Sequence, residues 1–509
     1  MPTGTSGGTA VMGKTVASDT ARQEPAAPPP APRAPRLRPG SSWRSRDWWN
    51  TPRLVRGLTG LCLGALIAAG TVTAGVLGGA RDGTDVIGHQ AAPQVVRSAD
   101  LYFALNDMDA QAANLLLFGA DPDYTALRKE TLDSYEQRRA QADTDLQRVT
   151  EAVAGDQGGQ RAVQTVIGEL GRYEALVARA QLLEDQAHAP AGRPSADALA
   201  AYRQATDLLR QHLLPAVDDV TKANTAVVER NYTDQRDALA GGWWWILLTG
   251  LLALAGLGLL QRLLAVRFRR LVNVPLAVTT VLTAVGLATA LTLASRADHH
   301  LVVAKSNSFD SVIALSRARA VAYDLNADES RYLTDPARAA AYEQSFLDKT
   351  QSLARIDGAT LATYNDRLAA LADKHRADTG QVGFGGYLGD ELRNITFAGE
   401  QDAAERVLAA FQQYQRDDRK IRELNAQGKL KEAVTFNTGL NPGQSNADFG
   451  VLSAALEDNQ AINQGAFEGA VADGDDDLDT TTAGLGAAVL AAVLALTALG
   501  VRPRLREFA

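Results

Sequence analysis

Six histidines, one cysteine and a run of aspartates are the residues of this chain whose types could carry chemistry, and their spacing decides how far they do. The histidines are His89, His188, His212, His299, His300 and His375. Only His299 and His300 are adjacent, just beyond an apolar run. The pair could ligate a metal or titrate near neutrality, but it reads more simply as an exposed interfacial pair. Residues 473–479 hold five aspartates, yet they lack the sixth-position glycine and the distal glutamate of an EF-hand. A solvated acidic helix end accounts for them better than calcium does. The glycine-rich stretch 380–386 has no strand before it and no Gly-Lys-Ser/Thr after it, so it is read as a flexible distal loop and not a phosphate loop. The lone Cys62 excludes an intramolecular disulfide and a cysteine metal cluster; inside an apolar run it serves as a small apolar residue. No nucleophile, general-base or cofactor constellation emerges. The expectation is a protein without enzymatic activity, cofactor or metal.

The elements that would position any site are set by four apolar runs, at 58–80, 243–260, 271–295 and 483–501. Each is about as long as the roughly 20 helical residues that cross a hydrocarbon core, and none has a charged residue or histidine in its apolar core. That absence disfavours a transporter, whose ion pathways usually need such groups. Between the second and third runs lies a short tongue, 261–270, with Arg262, Arg267, Arg269 and Arg270 and no acidic residue. By the positive-inside rule it is cytoplasmic. Charge divides accordingly. Residues 1–57, 261–270 and 502–509 carry a net +12, while 81–241 and 296–482 carry −20, which together give the chain's −8. Basic segments face the anionic inner leaflet and acidic segments face out. Trp43, Trp48 and Trp49 precede the first run and Trp243, Trp244 and Trp245 open the second, at headgroup level.

Residues 1–57, rich in Pro, Ala, Gly, Ser and Arg, are expected to be a disordered cytoplasmic tail. The first run is read as a retained span, because the tail is far longer than the n-region of a signal peptide. Residues 81–242 form an extracytoplasmic four-helix bundle with helices at roughly 86–118, 123–154, 160–188 and 196–240. Breaks at 119–122, 155–159 and 189–195 separate them, and Leu101, Leu105, Met108, Ala112 and Leu115 mark one buried stripe. Pro215 should kink the fourth helix.

The pattern then recurs. A helix to 333 continues from the third span, a turn at Asp335-Pro336 answers Asp121-Pro122, and a helix over 337–377 follows. Leu105-Asn106 and Leu325-Asn326 share an offset of 220 residues. Beyond the glycine-rich insertion come helices at 400–426 and 428–438. A Ser445-to-Asp448 capping box then opens a helix leading into the fourth span. The second extracytoplasmic bundle covers 296–482, and 502–509 is a cytoplasmic tail. The fold class is all-α, with four transmembrane helices in a span-bundle-span unit occurring twice.

This layout, over about 58–509, together with the runs 389–400, 417–422 and 443–449, resembles the GlnX-like family of actinobacterial four-pass membrane sensor proteins. The bundles are also similar to the four-helix sensor domains of chemoreceptors. The resemblance implies amino-acid sensing (Glu, Gln or Asp), with a glutamine-binding-type solute-binding lipoprotein read outside and a Ser/Thr kinase, protein kinase G, influenced inside. Asn394, Phe397, Glu400, Asn446 and Phe449 in these runs are candidate partner contacts, although helix capping and core packing explain them better. The tongue arginines are expected to serve an inner partner as well as anionic membrane lipid. Nucleic acid is not expected; a homodimer is one arrangement the layout allows. The alternatives are a structural or scaffolding envelope protein and a transporter accessory subunit.

Overall fold

The computed structural model describes residues 43–152, 157–268 and 273–506. The described residues from Val55 onward form one compact unit. Among the described residues there is no strand, only a single antiparallel bridge between Arg355 and Gly385.

Four long helical columns organise the chain. The first is α1 (Trp43–Asp85), a π-helical segment (Val86–Ala91) and α2 (Ala92–Phe118). The second is α5 (Ala196–Leu208), a π-helical segment (Leu209–Leu213) and α6 (Leu214–Phe268). The third is α7 (Val274–Val302), a π-helical segment (Val303–Phe309) and α8 (Asp310–Thr334), and the fourth is α14 (Ser445–Asp477) followed by α15 (Thr480–Arg506). Each column carries a stretch long and apolar enough to cross a membrane, which makes this the architecture of a multi-pass membrane protein. The apolar side chains of these stretches face outward: Leu248, Leu251, Leu252, Leu259, Val281 and Leu485 are all exposed, as lipid contact requires. Trp244 and Trp245 are exposed at the start of the second span. Where two spans meet they do so closely. A Cβ on Gly256 would lie 2.9 Å from Cys62 Sγ.

Outside the spans the columns continue as one four-helix stalk around Ile87, Val95, Val228, Leu301, Phe309 and Phe467. Each pair of columns then takes on a bundle. In the first, α3 (Thr125–Ala152) and α4 (Gln157–Ala187) pack on α2, α5 and α6 around Leu105, Met108, Tyr173, Tyr202 and Val217. Asp121 stops α2 and starts the next helix by accepting a hydrogen bond from the Asp123 amide at 3.0 Å. Ser195 Oγ caps α5 through the Ala198 amide at 3.2 Å. Gly119, at φ +56, takes a conformation that favours glycine, and a Cβ there would collide with the Ala189 carbonyl. The break expected at 155–159 lies partly outside the described residues, as do residues 1–42 and the last three residues; residues 43–57, expected as part of a disordered tail, are instead helical, the start of α1. Pro215, which has no amide hydrogen, is the second residue of α6, just after the π-helical segment Leu209–Leu213.

The second bundle contains α9 (Ala339–Leu353), α10 (Leu361–Ala377), α11 (Gly386–Arg393), α12 (Glu400–Ala426) and α13 (Leu430–Thr438). Four expectations need correction. The helix over 337–377 is two helices, because Asp357-Gly358 turns the chain, with Gly358 at φ +67, and Thr360 and Thr363 form a reciprocal capping box. Ser445 is the first helical residue of α14 and caps nothing; its hydroxyl donates instead to Glu329 at 3.2 Å. The tongue is helical through Phe268, an extension of α6. The glycine-rich stretch is not distal. The α11 helix that follows it is tied by Asn394 Nδ2 to Ser311 Oγ at 3.0 Å. Ser311 lies 16 residues past Ser295, about 24 Å along a helix, whereas the far end of α8 is about 58 Å away. In the fourth column the passage into the span is interrupted at Leu478-Asp479, where Asp479 caps α15 through the Thr482 amide at 2.7 Å.

Candidate functional site

α2 and α8 open the two bundles at equivalent places in the repeat, and they pack against each other. On α8, Asp324, Asp328 and Arg331 recur at the spacing of one helix face. On α2, Asp109 sits one turn after Leu105 on the buried side. These residues meet in a buried charge network between the bundles. Arg331 and Asp109, each 1% exposed, form an ion pair. Arg331 Nη1 also reaches Asp324 at 3.0 Å and Asp328, and its Nε donates to Tyr202 at 3.1 Å. Arg210, from the π-helical segment before Pro215, reaches Asp324 at 2.9 Å and Asp328 at 2.7 Å. Lys349 on α9 reaches Asp324 at 2.7 Å and also pairs with Asp328. Thr206 Oγ1 at 3.0 Å and Tyr173 OH at 3.2 Å donate to Asp109.

Three cations and three carboxylates thus balance in this network. Burial alone would raise the Asp324 and Asp328 carboxyls, but Arg210, Lys349 and Arg331 outweigh it and hold both below the ordinary carboxylate range. Around this centre the bundles are joined by Arg203 to Asp335 at 2.8 Å, by Asn437 through Ser330 to Asn114, and by Tyr124 OH to Thr435 at 2.7 Å. The edge of Phe103 meets Tyr323 at 5.0 Å, with Arg319 over the Phe103 ring. Beside the network opens a cleft of about 600 Å³ between the bundles, lined by Tyr102, Arg210, Asp218, Arg317, Asp324 and Lys349. The lining mixes these charged residues with apolar Ala99, Leu214, Pro215 and Val321.

The other side of α8 has a different character. Glu329 is 2% exposed, and burial pushes its carboxyl up to about 8.

The residues singled out from sequence are dispersed. Glu400 is fully buried, and its Oε2 accepts from the Thr396 and Phe397 amides at 2.6 and 2.9 Å. Phe449 is core, edge-on to Tyr323 at 4.8 Å. Asn394 is spent on Ser311, and Asn446 accepts from Asn326 at 3.3 Å. Packing and capping therefore occupy Glu400 and Phe449, which offer no surface to a partner in this conformation. Phe397 is half-buried, and Arg262 and Arg267 are exposed at the end of α6. Arg269 and Arg270 lie outside the described residues. The scattered histidines do find the aspartate run: His89 Nε2 lies 2.9 Å from Asp475 and His300 Nε2 3.2 Å from Asp477, tying α14 to the first and third columns. No group of three or more His, Cys, Asp or Glu among the described residues is arranged to hold a metal.

The fold and this site define a multi-pass, all-α membrane protein whose paired helical bundles stand on membrane-crossing columns. Residues 83–233 match a family model described as an actinobacterial sensor domain. The matched segment covers the first bundle with its stalk helices and includes Asp109, Tyr173, Tyr202 and Arg210, which supports a sensing role for this part of the chain. No curated protein and no solved structure matches the chain.

Proposed function

We propose that the protein is a transmembrane sensor that reads an extracytoplasmic signal at its paired bundles and passes it to a cytoplasmic protein bound in trans. The bundles lie outside, both termini and the tongue at 261–270 lie inside, and the chain performs no chemical step of its own. The observation that carries this reading is the Arg331 network. It joins α2, α8, α9 and the second column at one buried point, and three of those elements run unbroken, apart from π-helical segments, into spans. A shift of one bundle against the other must break or re-form these pairs. Long helices then carry the change to the membrane as a piston, tilt or rotation. Buried pairs of this kind have discrete made and broken states, because a half-broken pair leaves an uncompensated charge.

The family resemblance supplies the finer reading. The outside signal is an amino acid of the Glu, Gln and Asp group, delivered by a solute-binding lipoprotein, and the inner partner is a Ser/Thr kinase that meets the tongue arginines. Topology is tested by single-cysteine labelling in a Cys62→Ala background with a membrane-impermeant maleimide. Leu132→Cys should label in intact cells and Val266→Cys only after permeabilisation. Labelling of Val266→Cys in intact cells overturns the proposal.

A further inference from the structure

A second concave surface, separate from the Arg331 network, is built where α9 ends and the glycine-rich stretch begins. The two backbones are clipped together by the paired hydrogen bonds of the Arg355–Gly385 bridge, at 2.8 and 2.9 Å. Beside this clip three arginines from three segments line one open cleft of about 710 Å³, together with Asp357: Arg355 after α9, Arg367 on α10 and Arg393 at the end of α11. Each is laid beside a glycine. A Cβ on Gly385 would lie 2.8 Å from Arg355 Nη2, one on Gly389 would lie 3.2 Å from Arg393 Nη2, and one on Gly358 would lie 3.8 Å from Arg367 Nη1. At Gly385 no side chain fits without moving the guanidinium. The floor between the arginines is apolar, formed by Leu371, Val382 and Phe384.

The cations are incompletely used. Arg393 pairs with Asp390 at 2.6 Å and donates to the Phe384 carbonyl. Arg367 donates only to the Asp357 carbonyl at 3.1 Å. The Arg355 guanidinium has no acceptor among the described residues. Arginine forks match planar oxyanions in two-point geometry, and the backbone clip fixes where the Arg355 side chain leaves the chain.

We infer that this cradle binds a small soluble anion: an oxyanion head group held by Arg355 with Arg367 and Arg393, on an apolar body that rests against Leu371, Val382 and Phe384. A lipid head group is excluded as its source, because α11 stands beside Ser311, about 24 Å along the helix from the end of the third span.

The test uses the purified full-length protein in detergent micelles, titrated calorimetrically with benzoate, with inorganic phosphate and with neutral benzamide. Saturable benzoate binding with no benzamide binding is expected. Arg355→Gln should weaken it about ten-fold, the loss of one charge-assisted contact. Gly385→Ala keeps all three charges and a backbone angle open to alanine, yet displaces the Arg355 fork, so it should weaken binding as well. Phosphate binding with the same dependence on Arg355 would support the cradle with phosphate as the head group. Circular dichroism confirms that each variant is folded. Absence of saturable binding by both anions, or binding unchanged in both folded variants, overturns the inference.

Discussion

The carboxylate of Asp109 and the guanidinium of Arg331 are 222 residues apart in sequence and form an ion pair that is 1% exposed on each side. The pair is the innermost contact between two helices that open the two bundles, and each helix continues a column that enters the membrane.

Removing one partner of such a pair strands the other. Arg331→Met should therefore cost about 3–5 kcal/mol, with the buried Asp109 left without its cation. Adding Asp109→Leu should restore part of that loss. Urea unfolding followed by circular dichroism measures both variants, and additive losses would show that the two residues do not interact.

Two classes of buried acid predict opposite pH behaviour. Burial raises Glu329 from its ordinary 4.5 to about 8, and burial together with Glu400 raises Glu391 to about 7. The unfolded chain releases these protons near 4.5 while the folded chain keeps them, so stability falls as pH rises from 4.5 towards 8. Asp324 and Asp328 are lowered, so the stability they contribute is present above their ordinary 3.8 and is lost on acidification. Glu329→Gln should flatten the decline between pH 4.5 and 8 in the urea midpoint. An unchanged slope would show that Glu329 is ionised in the fold.

Phe449 packs within the second bundle's core, edge-on to Tyr323 and tilted against Tyr414. Phe449→Ala should lower stability by about 3–5 kcal/mol through the cavity it leaves. Partner loss from a variant of unchanged stability would instead make Phe449 a contact residue.

Arg262 and Arg267 lie exposed near the C-terminal end of α6, the end proposed to face the cytoplasm. Replacing both with glutamine should reduce recovery of the inner partner while insertion, scored by maleimide labelling, stays normal. Unchanged recovery would leave them an anchoring role at the anionic leaflet.

Much of the architecture was legible because helices declare themselves by period. The stripe through Leu101, Leu105 and Met108 and the four apolar runs placed the columns, and the shared Leu105-Asn106 and Leu325-Asn326 pointed to equivalent helices. Asp324, Asp328 and Arg331 also show one-face spacing. Their partner Asp109 was invisible, because nothing local in a sequence reports which distant helix will face it. The Asp357-Gly358 turn was a local signal, obscured by apolar periodicity resuming on both sides. Ser445 failed as a cap for a tertiary reason, since Glu329 takes its hydroxyl.

The most direct test of the sensor proposal is recovery of the proposed cytoplasmic kinase with the intact protein, pulled down from membranes with and without the proposed amino acid and binding lipoprotein. Wild-type protein should change its recovery about five-fold or more on addition of the amino acid, and a folded Arg331→Lys protein should lose most of that response. Recovery that is constant in the wild type, or a response that survives intact in Arg331→Lys, would contradict a signal carried through the Asp109–Arg331 contact.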